Sequence, residues 1–355
     1  MKKFTKSNQF FALTGAAFVA AAGMTDLHAH GGEDHKHDKS EAKEVTGGIT
    51  GTEGYMFKAD PTWGGMEEGK RFGQTHGGVV IDKQGLVYVS TDTHASIHVF
   101  GQDGKLLKSI APEARGVHHM AIREENGEEF IYCAQLLSAK NEPPRLLKMK
   151  LDGEIVMTIP NENTGEVEGG FKGTTGIAVA PDGTIYCSMG YGSNLIHAFS
   201  PEGKHLNAFG GQGRTDGKFV TPHTLSIDLR FDEPRILVCD RENRRLQHFT
   251  LGGEFIGIHS SGLNRPCSVS FLGDLVAVAE LEARVTLLDK EGKILAHLGE
   301  NDNKEEWAKF NLKPEGYRLG VFSAPHGVSF DKDGNLYVQD WNVAGRVTKL
   351  EKLDK

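Results

Sequence analysis

Three histidines of this chain, His118, His223 and His326, stand at the same position of a repeated sequence unit, four residues before the last apolar residue of its first predicted strand. When repeated units are arranged around an axis, residues at one position form a ring, and residues from alternate units converge on the axis. Three neutral imidazoles with a fourth position left open are a ligand set of catalytic zinc. The spacing therefore predicts a zinc site built by these three histidines.

The other units carry different residues at this position, namely Gly77, Thr175 and Cys267, and His76 directly precedes the glycine. A Cys267 thiolate could bind a soft metal on the ring, but cysteine is also a common small buried residue, and we favour burial. For His76, a place beside the metal ligands and a purely local role both stay open. Cys267 and His76 are therefore secondary candidates for the site.

The repeated unit is an alternating strand, an Asp-Gly or Glu-Gly turn and further short strands, with no helical stretch between copies. Copies begin near residues 77, 118, 175, 223, 267 and 326. Six such units predict an all-β, six-bladed propeller over residues 54–355. Residues 347–350 supply only the third strand of the last blade. We expect residues 55–58 to add its missing outer strand, which would close the ring and remove an open edge.

The N-terminus has the features of a secretory signal peptide. Three lysines within the first six residues precede an apolar run over residues 10–22, and small residues follow. The run is too short for a membrane span, which needs roughly 20 apolar residues. We therefore predict a signal peptide over residues 1–29 and export to the periplasm or the extracellular space.

Residues 30–53 are rich in histidine and charge and lack apolar periodicity, which predicts a flexible tail. A histidine-rich tract could gather metal ions, although we favour a solvated linker. Over the whole chain, the net charge of −8 argues against a nucleic-acid-binding surface. Four cysteines in 355 residues do not form a disulfide scaffold, and 45 glycines indicate many tight turns.

Several segments carry a resemblance to a known family. The repeats resemble those of NHL propellers, and part of them is similar to the peptidyl-α-hydroxyglycine α-amidating lyases (peptidylamidoglycolate lyases). The similar segments are residues 189–194, 219–227, 238–247 and 324–328. In that family a zinc ion held by three histidines binds the hydroxyl group of a C-terminal α-hydroxyglycine, a tyrosine acts as base, and arginines engage the substrate. The products are a peptide amide and glyoxylate.

The resemblance implies roles for particular residues here. His118, His223 and His326 match the metal ligands, Tyr191 matches the base, and Arg241 matches a substrate contact. A loop packing role for Tyr191 and a salt bridge from Arg241 to Glu242 or Asp240 are the competing interpretations. His94 and Trp341 lie in loops equivalent to those of Tyr191 and Arg241, which makes both secondary candidates.

The chain also departs from the family pattern. The arginine expected in blade one is absent from residues 89–94, and Arg71, Arg115 or Arg214 could replace it. The aspartate that binds calcium in the family is Gly327 here, so we do not expect a calcium ion at that place. The loop over residues 299–323 could cover one face of the propeller or pack along its surface.

Two functions from different classes follow. The first is an exported zinc-dependent carbon–nitrogen lyase whose hydroxylated substrate comes from a separate monooxygenase. The alternative is a non-catalytic propeller that binds a protein or peptide and holds a structural metal. An open metal position with Tyr191 in hydrogen-bond reach favours catalysis, whereas closure by Cys267 favours a structural site. A calcium-dependent lactonase would need carboxylate ligands at the axis, where this chain has imidazole and thiol groups.

Overall fold

The computed structural model describes residues 47–64, 72–136 and 143–354. Within these ranges the chain forms β-strands and four short 3-10 helices: Pro112–Ala114, Arg241–Asn243, Lys304–Glu306 and Pro314–Gly316. None of the helices in these ranges is long and apolar enough to cross a membrane. The predicted signal peptide and most of the predicted tail, residues 30–46, lie outside the described residues.

The strands form six antiparallel sheets, the blades of a propeller. From the axis outward, blade one is β3 (Thr75–Ile81), β4 (Val87–Thr91), β5 (Ile97–Phe100) and β6 (Leu106–Ile110), and blade two is β7 (Val117–Glu125), β8 (Glu128–Gln135), β9 (Arg145–Lys150) and β10 (Ile155–Ile159). Blade three is β11 (Gly176–Val179), β12 (Ile185–Ser188), β13 (Leu195–Phe199) and β14 (His205–Gly210), and blade four is β15 (Pro222–Asp228), β16 (Arg235–Asp240), β17 (Arg245–Thr250) and β18 (Phe255–Ser261). Blade five is β19 (Pro266–Leu272), β20 (Leu275–Glu280), β21 (Arg284–Leu288) and β22 (Ile294–Leu298), and blade six is β23 (Pro325–Phe330), β24 (Leu336–Asp340), β25 (Arg346–Lys352), β2 (Tyr55–Ala59) and β1 (Ile49–Thr52).

The inner strands form a closed ring. Each of them contacts the inner strands of both neighbouring blades, and β23 of the last blade contacts β3 of the first. The predicted six-bladed propeller is thereby confirmed, and so are the six starting points of the repeat. Apolar side chains fill the spaces between adjacent blades in several separate clusters.

The last blade is completed by the N-terminal part of the propeller, as predicted. β2 pairs with β25, with Phe57 opposite Lys352 and Ala59 opposite Leu350. The predicted boundary of the propeller at residue 54 is wrong, because β1 adds a fifth strand from residues that we assigned to the tail. β1 is held by backbone pairing and by Thr50, whose hydroxyl oxygen accepts a hydrogen bond from Gly299 N at 2.7 Å. Such contacts leave no alternating apolar pattern in the sequence.

The closure makes Phe57 a sensitive position. Its side chain is buried in the cluster between blades five and six, whereas the neighbouring Lys58 is exposed on the same strand. We expect Phe57→Ala to lower the free energy of unfolding by about 3–5 kcal/mol, because it leaves a cavity where the ring closes. Lys58→Ala is the control and should change it by less than about 0.5 kcal/mol. Urea unfolding measures both free energies, and an equal loss in the two variants would contradict the role of Phe57 in closing the ring.

His197 of β13 gives a prediction on pH. The residue is fully buried, and burial lowers its pKa to about 4, with a further contribution from His205. Between this value and the unfolded pKa of about 6.5, only the unfolded chain binds a proton at this residue, so stability falls as the pH falls. We expect His197→Gln to reduce the slope of unfolding free energy against pH by up to about 1.4 kcal/mol per pH unit between pH 6 and 4.5. His94→Gln, which removes an exposed imidazole, is the matched control, and an equal change of slope in both variants would contradict the assignment to His197.

Candidate metal centre

Five of the six inner strands contain a β-bulge near their first residues, where side chains approach the axis, whereas β11 pairs with β12 in regular register. In β23 the two residues that flank His326 pair with consecutive residues of β24, so that His326 is an extra residue in the strand. The register shifts in the same way on β7, β15 and β19, at segments that contain His118, His223 and Cys267. A bulge re-aims a side chain that regular alternation would direct elsewhere. The predicted ring of residues therefore arises from the same irregularity repeated around the axis.

The structure brings the three predicted histidines together. The ring centroids of His118 and His223 are 4.7 Å apart, those of His118 and His326 are 4.9 Å apart, and those of His223 and His326 are 4.5 Å apart. All three imidazoles are buried. They form a compact cluster on the axis of the propeller.

Backbone carbonyls of the intervening blades orient two of these imidazoles. His118 Nδ1 lies 2.6 Å from Thr175 O, and His223 Nδ1 lies 2.9 Å from Cys267 O. Because a carbonyl oxygen only accepts, each Nδ1 carries the proton and each Nε2 keeps its lone pair. Burial holds the pKa of all three imidazoles well below the usual value, so the cluster is neutral. His118 Nε2 is buried and has no hydrogen-bond partner in the described part of the chain.

His326 is accommodated by glycines of two blades. A Cβ atom on Gly77 would lie 2.3 Å from His326 Nδ1 and 2.9 Å from His118 O. A Cβ atom on Gly327 would lie 2.3 Å from Gly77 O, which leaves no room for an aspartate there. The replacement of the family's calcium-binding aspartate by Gly327 therefore has a steric reason in this chain.

The donor atoms around the axis fall into two sets. In each set three residues have ligand atoms within 4.8 Å of one another: His76 with His118 and His326, and Cys267 with His223 and His326. His326 belongs to both sets, and neither set contains all three of the predicted ligands. Both secondary candidates, His76 and Cys267, thus contact the cluster. Cys267 is buried as expected, and burial raises the pKa of its thiol to about 11 although Arg241 opposes the shift.

Tyr191 and Arg241 meet at one side of the cluster. The Tyr191 hydroxyl lies 3.2 Å from His223 Nε2, and Arg241 Nη1 donates to the same oxygen at 3.0 Å. Tyr191 is 44% exposed as a residue, although its hydroxyl contacts a buried histidine. Burial of the hydroxyl raises the Tyr191 pKa, and the Arg241 charge partly offsets this rise. Arg241 Nε also donates to Glu242 at 2.9 Å, so the expected salt bridge and the contact with Tyr191 are both present.

Aromatic rings form a second side of the site. Trp341 stacks on His76 with the ring planes 14° apart and the centroids separated by 5.9 Å. Phe310 in turn stacks on Trp341, with the two ring centroids 4.7 Å apart. The loop over residues 299–323 therefore brings one aromatic ring to the site, whereas Tyr317 donates to Asn342 Oδ1 and packs the loop against blade six. His94 is exposed and makes no contact with the cluster in the described ranges.

Asp92 is a residue of the site that the sequence analysis missed. Its Oδ2 lies 3.4 Å from His76 Nδ1 and accepts a hydrogen bond from Gln74 Nε2 at 2.7 Å. Its position in the sequence could have identified it. Asp92 directly follows the second strand of its blade, as Arg241 and Trp341 do in their blades.

The three arginines considered as replacements in blade one have different surroundings. Arg115 Nε donates to Asp92 O at 2.6 Å and so lies beside the site. Arg214 donates to Asn243 Oδ1 at 3.1 Å. Arg71 lies outside the described residues.

Comparisons with known proteins agree with a propeller that resembles a lyase. The chain is 27% identical over 317 residues to the peptidylglycine alpha-amidating monooxygenase of Rattus norvegicus, covering 84% of this chain and 29% of that protein. It is 35% identical over 103 residues to a Caenorhabditis elegans protein named "Probable peptidyl-alpha-hydroxyglycine alpha-amidating lyase", covering 28% of this chain and 29% of that protein. The chain thus spans less than a third of the length of these relatives. No family model matches it. The predicted resemblance to amidating lyases is confirmed.

Solved structures support the fold. A streptogramin B lyase superposes with a TM-score of 0.53 and 13% identity, over 84% of this chain and 98% of that one. An inactive virginiamycin B lyase from Staphylococcus aureus superposes with a TM-score of 0.53 and 15% identity, over 84% of this chain and 100% of that one. At such low identity these matches show the shared propeller fold alone.

Gly77 tests the packing of the cluster. We expect Gly77→Ala to lower the free energy of unfolding by about 1–3 kcal/mol, because the added methyl group overlaps His326 and the strand of His118. Gly257→Ala is a matched control, since a Cβ atom there has no neighbour within 4 Å. Thermal unfolding of both variants measures the effect, and an unchanged midpoint for Gly77→Ala would contradict the tight packing around Gly77.

Proposed function

We propose that the protein is a zinc-dependent carbon–nitrogen lyase that acts on a C-terminal α-hydroxyglycine and releases an amide and glyoxylate. The observation that carries the proposal is the neutral cluster of His118, His223 and His326 with the Tyr191 hydroxyl in hydrogen-bond reach. The sequence similarity to amidating lyases supports it. Export and the supply of substrate by a separate monooxygenase are part of the same proposal.

His118, His223 and His326 would hold the ion. Their donor set suits zinc better than calcium or magnesium, which prefer oxygen ligands. When bound, zinc supplies a Lewis acid that lowers the pKa of the substrate hydroxyl group. The backbone carbonyls of Thr175 and Cys267 keep two of the imidazoles in the tautomer whose Nε2 has a free lone pair for a metal ion.

Tyr191 is placed to move the proton of the reaction. Cleavage converts the substrate hydroxyl group into the aldehyde of glyoxylate and gives one hydrogen to the amide nitrogen. The proton that leaves the oxygen therefore balances the proton that the nitrogen gains, and one group beside both atoms can carry it. The neighbouring Arg241 guanidinium stabilises the phenolate form of Tyr191, which burial alone would disfavour.

Arg241 is the candidate contact for the substrate carboxylate. Its Nε is bound to Glu242 and its Nη1 to Tyr191, and the guanidinium also interacts with the Cys267 thiol. A guanidinium beside the metal cluster suits the carboxylate of an α-hydroxyglycine, which would exchange for one of these partners. Blade one has Asp92 rather than an arginine directly after its second strand. We therefore assign recognition of the substrate carboxylate to Arg241 of blade four.

The reaction can be tested with an α-hydroxyhippurate substrate and a glyoxylate assay. We expect wild-type protein to hold one zinc ion per chain and to release glyoxylate, and His223→Ala to lose both. Tyr191→Phe should keep the zinc and lower kcat by about 10²–10⁴-fold, because it removes the proton carrier. Tyr55→Phe, remote from the axis, is the control.

The outcomes separate the two functions considered. Zinc without glyoxylate release in wild-type protein would contradict the lyase and favour a binding propeller with a structural metal. Glyoxylate release that persists in Tyr191→Phe would reject the role of Tyr191 while keeping the lyase. Absence of zinc from wild-type protein reconstituted with the metal would reject the three-histidine site.

A further inference from the structure

Blade one differs from the other blades at the start of its inner strand. In β3, Thr75 pairs with Thr91 and Val79 pairs with Val89, so that three residues of β3 lie opposite Ser90 alone. This bulge holds two extra residues, whereas those at His326 and Cys267 hold one. A larger bulge changes which side chains face the axis.

The reason for the larger bulge lies in the packing at the axis. Gly77 occupies the ring position in blade one, and no side chain fits there because His326 and the strand of His118 are too close. The second extra residue lets His76 take the place that a ring residue would fill. Its ring centroid lies 4.5 Å from that of His118 and 5.1 Å from that of His326.

His76 lies between a carboxylate and an indole ring. Its Nδ1 is 3.4 Å from Asp92 Oδ2 but makes no hydrogen bond within the described residues, and Asp92 is fixed by Gln74 through a side-chain hydrogen bond of 2.7 Å and a backbone hydrogen bond of 2.9 Å. The face of the imidazole stacks on Trp341. A carboxylate close to one ring nitrogen is a common neighbour of a metal-binding histidine, and an unpaired buried nitrogen has the lone pair or proton that such a site uses.

We infer that His76 is a fourth imidazole of the metal centre and that Asp92 is its positioning residue. The ligand atoms of His76, His118 and His326 lie within 4.8 Å of one another, close enough for one ion to draw them together. Blades one, two, four and six then each contribute one imidazole. This inference rests on the metal centre of the proposed function and is independent of the amide-forming reaction.

A fourth imidazole changes how substrate reaches the ion. If all four imidazoles held one zinc ion, they would complete a tetrahedral ligand set, and a substrate oxygen would then need the place of one of them. His76 is the most exposed of the four, at 9% against 2% or less for the others. It also lies beside the aromatic side of the site, formed by Trp341 and Phe310. His76 is therefore the ligand that yields to substrate.

The test uses the metal affinity of the full chain. Metal-free wild type, His76→Ala and Asp92→Asn are titrated with zinc against a chromophoric chelator, and the visible spectrum of each is recorded with cobalt(II). We expect His76→Ala to raise the zinc Kd at least tenfold and to change the cobalt spectrum, and Asp92→Asn to raise the Kd by about 10–100-fold. His94→Ala, in the same blade but exposed, is the control and should match wild type.

Unfolding of the metal-free proteins checks that each variant folds. If His76→Ala does not fold, the zinc affinity of Asp92→Asn tests the inference instead. Unchanged zinc affinity and cobalt spectrum in folded His76→Ala would overturn the inference, even if glyoxylate release shows that the lyase proposal holds. A raised Kd in a protein that forms no glyoxylate would support the inference and reject the lyase. A wild-type protein that binds neither metal would overturn both.

Discussion

The site depends on one backbone irregularity, the bulge near the start of the inner strands. A regular strand alternates its side chains between the two faces of the sheet, and neither face of a propeller blade points at the axis. The extra residue breaks this alternation and turns a side chain inward. Because the irregularity recurs on blades two, four and six, side chains that are far apart in sequence converge within a few ångströms.

Convergence creates an electrostatic problem that shapes the surroundings. Buried imidazoles that lie this close cannot share positive charge, and burial keeps them neutral. The charged groups are held at the rim. On one side Glu242 binds both Arg241 and Arg265, and on the other Asp92 is fixed by Gln74. The rim therefore carries a cation where blade four meets Tyr191 and an anion where blade one meets His76. The two sides of the site therefore differ in charge, although the six blades share one fold.

Glycine makes the close approach possible. Gly77 and Gly327 belong to blades one and six, next to each other at the point where the ring closes, and a side chain on either would collide with the other blade. Blade six of this pair also receives the N-terminal strands β1 and β2 at its outer edge. Blade six therefore takes part both in the closure of the ring and in the packing of the metal centre.

Local patterns in the sequence were sufficient for the fold and for the three central histidines. Alternation of apolar residues, Asp-Gly turns and the repeat of both are properties of neighbouring residues, and one position in each repeat maps to one ring around the axis. Tyr191 and Arg241 followed from motif resemblance, and the structure brings them to His223. β1 and the inward position of His76 were not accessible in this way, whereas the position of Asp92 directly after the second strand of its blade could have identified it. β1 pairs through its backbone and carries no apolar pattern. The depth of the bulge in β3 depends on contacts between Gly77, His326 and His118, residues that only the folded ring brings together.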